Sequence, residues 1–518
     1  MAKKSTKKEK SIEESLWDAA NKLRGKVESS EYKHVVLGLI FLKFTSDKFE
    51  KHRQALIADG KEKYLDMVAF YQKDNVFYLA PESRWSYIME NAKQDDIAIK
   101  IDTALFTVEK NNPSLKGALP DNYFSRLNMD ASKLSALLDT VNNIDTIADN
   151  EEDIVGRVYE YFLGKFASSE GKGGGEFYTP KCVVQLIAEM LEPYKGKIYD
   201  PACGSGGMFV QSIKFIESHN GSKKDISIYG QEYTATTYKL AKMNLAIRGI
   251  NANLGDVPAD TFFKDQHPDL KADFIMANPP FNQKGWRADN ELTDDPRWRG
   301  YDVPPTGNAN YAWILNMVSK LSENGTAGFV LANGSMSSNT SGEGELRQKF
   351  IENDLVDCMI ALPGQLFYTT QIPVCLWFMT KNKKGGSTTG NNFRNRQGET
   401  LFIDARNMGS MLDRTHKELT NDDIAEITKT YHAWRGEKKD GKYEDIAGYC
   451  KSATLEDIKK NDHVLTPGRY VGIAAEEDDG IPFEHKMTEL SQTLFAQMDE
   501  ASNLDEAIRE NLKVLGYE

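Results

Sequence analysis

No apolar run in the sequence is long enough to cross a bilayer. The longest, Val35 to Leu42, stops after eight residues at Lys43. The basic opening MAKKSTKKEK has no apolar stretch behind it, so it reads as a solvated tail and not as a secretory signal. Cysteine is scarce: Cys182, Cys203, Cys358, Cys375 and Cys450 are scattered without a CxxC pair, and the eight histidines show no ligand spacing. Reduced thiols in a cytoplasmic chain without structural zinc or any other metal are the expectation. Excess positive charge is also lacking. With 64 Lys and Arg against 77 Asp and Glu, the net charge of −13 argues against a surface that coats nucleic acid by itself. Local basic patches, or a partner that supplies phosphate contacts, remain open. There is no solenoid repeat and no phosphate loop. The nearest miss, GEKKDGKY (436–443), has Tyr443 where magnesium coordination needs the hydroxyl of Ser or Thr, and reads as a Lys-rich turn. HPDLK (267–271) is too loose for a nuclease motif.

What is present divides into three parts. At 518 residues the chain exceeds the usual limit of one core. Residues 1–148 carry helical periodicity, with a capping-box start at Ser11 and Glu14 and a long apolar helix ending at Gly60. From 149 to 410, after a helical stretch (152–166) and a Gly-rich loop, short apolar runs alternate with amphipathic stretches. The runs are KIYD, ISIYGQ, ANLGD, DFIMAN, TAGFVLAN, LVDCMIAL, VCLWFMT and TLFIDA. Such alternation predicts an α/β domain with a largely parallel sheet, helices on both faces and an exposed loop over 385–398. Residues 411–518 read as a mostly helical extension. Its last helix sets Leu490, Leu494 and Met498, then Leu504, Ile508 and Leu512, four apart, a face for its own domain or for a partner helix.

The chemistry sits at strand ends. In DPACGSGGMFV a strand closes at Asp200, and Gly204, Ser205, Gly206 and Gly207 form a tight turn that opens a helix. Glycines let a ligand approach the backbone, and the helix start presents free N–H groups. The dinucleotide fingerprint is not met, because Phe209 replaces its last glycine. Glu232, at the tip of the next strand in YGQEY, is placed to accept both hydroxyls of a ribose. Asp256 in LGD is either an acceptor for an adenine amino group or a turn aspartate. Upstream, Thr179 fits an N-cap and Pro180 the first helical position, behind the mobile Gly173–Gly175.

The strand DFIMA runs into Asn278, Pro279, Pro280 and Phe281, where two prolines forbid further ladder pairing. An exocyclic amine such as adenine N6 is a poor nucleophile, because its lone pair is delocalised into the ring. An Asn278 oxygen and the Pro279 carbonyl can both accept from such an amine and fix its orientation. Phe281 offers a flat face for a base drawn out of a duplex. Between 283 and 310, Lys284, Trp286, Arg287, Arg297, Trp298 and Arg299 suit either an arm over that base or a surface insertion.

DPACGSGG, YGQEY, LGD and ANPPF, in this order, resemble the γ-group N6-adenine DNA methyltransferases. With the helical N-terminal region, GEFYTP before the sheet and LTPGRYVG (465–472), nearly the whole chain is similar to the modification (M) subunits of type I restriction–modification systems, the HsdM family. The resemblance implies a Rossmann-like class I methyltransferase domain with a seven-stranded sheet whose last strand is antiparallel. It implies S-adenosylmethionine as cofactor, held by Glu176, Phe177, Tyr178, Thr179, Pro180 and Lys181, by Ser205 to Gly207 and by Glu232, with Asn278 to Phe281 at the target adenine. Double-stranded DNA, one specificity (S) subunit between two M chains, and a restriction (R) subunit are the implied partners. Two alternatives stay open: a protein glutamine methyltransferase, which uses a Tyr-ended version of the motif, and a non-catalytic assembly subunit.

Overall fold

The computed structural model describes residues 17–18, 29–74, 76–127, 129–144, 161, 179–367, 372–388, 391–412, 416–473 and 483–516. The expected helices over 11–24 and 152–166, and the glycine-rich approach to the sheet, lie almost wholly outside them. Compact structure divides into two units, residues 1–472 and 473–518.

The first unit begins with helices α1 (Ser29–Ala58), α2 (Ile97–Asn111) and α3 (Ala131–Asn142). Val35 to Leu42 are buried on all sides of α1, which explains why that run shows no amphipathic period. Gly60, at φ +68, ends the helix in the left-handed conformation that suits glycine.

A mixed sheet follows, built from β1 (Gly196–Asp200), β2 (Ile226–Gly230), β3 (Ala252–Asn253), β4 (Ala272–Ala277), β5 (Leu321–Ala332), β6 (Val356–Ala361), β7 (Val374–Thr380), β8 (Glu399–Asp404) and β9 (Cys450–Thr454). Their spatial order is β9-β8-β6-β7-β5-β4-β1-β2-β3. β7 runs antiparallel to both β5 and β6, so the seventh strand has the implied direction. The count is corrected from seven to nine. β8 pairs parallel with the outer edge of β6, and β9 closes that edge antiparallel to β8. The buried β6 is thereby moved inside the sheet, and the short, half-polar β9 takes the edge in its place. The expected boundary after 410 therefore falls between two strands of one sheet. Within the expected loop over 385–398, Gly386–Thr388 and Asn391–Phe393 pair as a small hairpin.

Helices α4 (Lys181–Leu191), α5 (Gly207–Ser218), α6 (Ala235–Ile247), α7 (Asn310–Lys320), α8 (Glu343–Glu352) and α9 (Asn421–Arg435) cover the two faces. Alternation along each strand feeds both layers. On β7, Leu376 and Phe378 join the core under α4 and α9, whereas Cys375, Trp377 and Met379 join the core under α7 and α8. α6 belongs to two regions at once: Leu240, Met243 and Ile247 complete the core of the N-terminal helices, and Lys242 Nζ donates to Lys116 O at 2.9 Å.

The second unit is helix α10 (Phe483–Val514), none of whose side chains is buried. Its expected row stands in the open, with Leu490, Leu494, Met498, Leu504, Ile508 and Leu512 between 45 and 58% exposed. Among the described residues no helix is long and apolar enough to cross a membrane. All five cysteines are unpaired and buried.

Candidate active site

β1 and β4 are parallel neighbours in the register Ile198↔Phe274 and Tyr199↔Ile275, so Asp200 and Asn278 open adjacent loops on one edge of the sheet. β2 and β3 lie on one side of β1 and β4 on the other, making this the point where the strand order reverses. Open α/β sheets hold ligands in the crevice there.

The loop after β1 is tied to β2. Gln231 N–H donates to Asp200 O, and Cys203 N–H to Gln231 O, each at 3.0 Å. The Asp200 carboxylate is buried and accepts from Ala202 N–H at 2.9 Å. Burial pushes its pKa up to about 8; the Ala202 N–H opposes the shift and the Glu232 charge adds to it. Gly204 and Gly206 hold φ of +54 and +82, where a side chain is strained. A Cβ on Gly204 or Gly207 would meet no atom of the described residues within 4 Å, so none of those packs against that side of the turn. α6 supports the turn from behind: Asn244 Nδ2 donates to Ser205 O at 2.7 Å, and Leu245 packs behind Gly206. Glu232, half-buried, accepts from Gly204 N–H at 3.1 Å and from Thr234 N–H at 2.7 Å. Asp256 is exposed past the end of β3, and its loop reaches Glu232 where Ala259 N–H donates to Glu232 O at 2.9 Å.

The loop after β4 is built differently. Asn278 is buried, its Nδ2 donates to Thr179 Oγ1 at 2.9 Å, and its Oδ1 is buried without a hydrogen-bond partner. Leaving such an acceptor unmet costs about 1–3 kcal/mol, which marks it as a place for an external donor. Pro279 is buried and Pro280 half-buried, and half-buried Phe281 meets Phe367 edge-on with centroids 6.1 Å apart. Asn282, at φ +51, reverses the chain and is locked by a reciprocal pair: its N–H donates to Asn310 Oδ1 at 3.0 Å, and Asn310 Nδ2 donates to Asn282 Oδ1 at 2.9 Å.

The structure corrects the expected capping of α4. Pro180, and not Thr179, occupies the N-cap, no side chain caps the helix, and Lys181 is its exposed first residue. The Pro180 carbonyl accepts from Val183 and Val184 N–H, while the Thr179 hydroxyl is engaged with Asn278. Glu176, Phe177 and Tyr178 lie outside the described residues. The 283–310 segment is a folded insertion. Trp286 and Trp298 are buried around Phe262, Arg297 binds Thr261 O at 2.8 Å and pairs with Asp295, and Arg287 binds Pro304 O at 2.8 Å. Of the six basic and aromatic residues noted in its sequence, Lys284 and Arg299 are left exposed.

A family model described as N-6 DNA Methylase matches residues 150–479. The chain belongs to this family. A model of the HsdM N-terminal domain matches residues 12–143, so the similarity to type I modification subunits extends over both regions. Among curated members, the Type I restriction enzyme HindI methylase subunit of Haemophilus influenzae is 51% identical over 433 residues, 82% of this chain and 94% of that one. The MjaIX methylase subunit of Methanocaldococcus jannaschii is 40% identical over 527 residues, covering 98% of this chain and 92% of its own. The fold matches that of the type I restriction–modification methyltransferase subunit from Streptococcus thermophilus with a TM-score of 0.72 at 24% identity, over 89% of this chain and 99% of that one.

Proposed function

We propose that this chain methylates adenine at N6 in double-stranded DNA, with S-adenosylmethionine as donor, as the modification subunit of a type I restriction–modification complex. The buried Asn278 Oδ1 without a hydrogen-bond partner carries the reading. It sits beside a proline carbonyl on a stiffened loop, next to a glycine turn whose outer side is left open by the described residues. That open side fits a nucleoside, and Glu232 and Asp256 supply carboxylates for its hydroxyl and amino groups. The sequence from Glu176 to Lys181 is assigned to its amino-acid end on the family resemblance alone. When bound, S-adenosylmethionine supplies a methyl group already activated by its sulfonium.

The chain's own work is to place the amine. Asn278 Oδ1 and Pro279 O accept from N6, turn its lone pair out of conjugation and hold it in one direction. Thr179 fixes the Asn278 amide so that oxygen, and not nitrogen, meets the base. Phe281 stacks on the extruded adenine, which has to leave the duplex to reach this depth. Two such chains around one specificity subunit, joined by a restriction subunit, complete the proposed assembly. The exposed row of α10 is the surface offered to the specificity subunit.

The test is co-expression with a specificity subunit, followed by labelled S-adenosylmethionine with either duplex DNA or protein. Label in DNA as N6-methyladenine at a defined site is expected. Label confined to protein glutamine would establish the rival chemistry, and N4-methylcytosine would correct the base.

A further inference from the structure

We propose that Glu192, His432 and Glu437 form a binding site for a divalent first-row transition metal that clamps the end of α4 to the end of α9. One ligand atom from each of the three lies within 4.8 Å of the others. All are buried, at 5, 3 and 5% exposure respectively. Glu192 follows α4, His432 stands in the last turn of α9, and Glu437 comes directly after it, in the Lys-rich turn. Folding brings these distant segments together where sequence spacing shows no ligand pattern.

Independent observations point to a missing ligand. Both carboxylate oxygens of Glu437 are buried without a hydrogen-bond partner. The neighbouring cations stand back, with Arg435 Nε at 3.5 Å and Lys439 Nζ at 3.7 Å. Asp440 Oδ2 is likewise buried without a hydrogen bond, 3.6 Å from His432 Nδ1. The other ring nitrogen, Nε2, lies 3.2 Å from Met190 O, where it donates and leaves the Nδ1 lone pair on the carboxylate side. A backbone carbonyl that fixes the tautomer in this way is the usual support of a metal-binding imidazole.

Charge also favours a cation. Three carboxylates, Glu192, Glu437 and Asp440, gather around His432, where the described cations are Arg435, Lys439 and, beside Asp440, Lys429. Lys439, paired with Glu192, is 55% exposed, so its ammonium can swing out as a metal enters. A cleft of about 440 Å³, lined in part by Glu192, His432, Lys439 and Asp440, gives access. One imidazole with carboxylates suits Zn²⁺ and its neighbours, whereas Mg²⁺ and Ca²⁺ demand oxygen throughout.

The experiment uses the full chain, stripped with chelator and titrated with Zn²⁺ by calorimetry and thermal melting, with Co²⁺ absorption as a readout of imidazole ligation. One equivalent bound, a raised Tm and a visible Co²⁺ band are expected. His432→Gln and Glu437→Gln should each weaken Zn²⁺ binding by about 100-fold or more. Cofactor binding by the variants reports that they fold. If a variant fails to fold, the titration of the unaltered chain still decides. No bound equivalent in the unaltered chain, unchanged affinity in both folded variants, or an equal response to Mg²⁺ would overturn the site.

Discussion

The loop after β1 takes its shape from left-handed glycines and backbone hydrogen bonds, whereas the loop after β4 takes its shape from two prolines and two side-chain pairs, Asn278–Thr179 and Asn282–Asn310. Both leave the same edge of the sheet on neighbouring strands. The glycine loop removes side chains and bares its main chain, to which the proposed function gives the cofactor. The proline loop removes main-chain freedom around one side-chain oxygen, the one to which the proposed function gives the target amine. Binding tolerates a surface assembled from many weak contacts, but aiming a lone pair depends on a single atom.

Substitutions should therefore separate affinity from rate. The largest effect is expected for Asn278→Ala: a fall of about 10²–10³ in kcat with cofactor affinity unchanged by calorimetry. A variant that kept its rate would remove the side chain from the chemistry and end the contrast. Next comes Gly206→Ala, whose Cβ is strained at φ +82 and faces Leu245. Roughly 1–2 kcal/mol of strain corresponds to a loss of about 5–30-fold in cofactor affinity, with kcat at saturation kept. Thr179→Val should lower kcat by up to about tenfold, the worth of one hydrogen bond, and Thr179→Ser should restore it. Recovery by Ser but not by Val distinguishes positioning of Asn278 from packing.

The last expected effect bears on stability and not on rate, and concerns pH. Burial raises Asp200 to about 8, so the folded chain without ligand holds a proton that the unfolded chain releases near pH 4. Stability from this group is complete below the unfolded pKa and is lost as pH rises toward about 8, by at most about 1.4 kcal/mol per pH unit. Thermal melts between pH 6 and 9 should show this decline, and Asp200→Asn should flatten it. A slope identical in both proteins would place Asp200 in its ordinary carboxylate range.

Much of this contrast was legible in the sequence, because both loops are local: strand, punctuating residues, helix. The apolar runs located the strands for the same reason, since a run buried on both faces needs no alternation to be noticed. Thr179 reads as an N-cap in the sequence, and the structure gives that position to Pro180. The partner of Thr179 is 99 residues away, and a Thr before a Pro looks like a cap until the helix is docked on β4. β9 escaped notice because CKSAT is a half-polar edge strand that exists only against β8. The indoles of 286 and 298 looked available until packing around Phe262 enclosed them.

α6 has a mechanical consequence. One side of this helix is cemented into the N-terminal bundle through Leu240, Met243 and Ile247, and the other grips the glycine turn through Asn244 and Leu245. One helix of thirteen residues therefore joins the packing of that bundle to the backbone of Ser205, so a change that loosens the one removes support from the other.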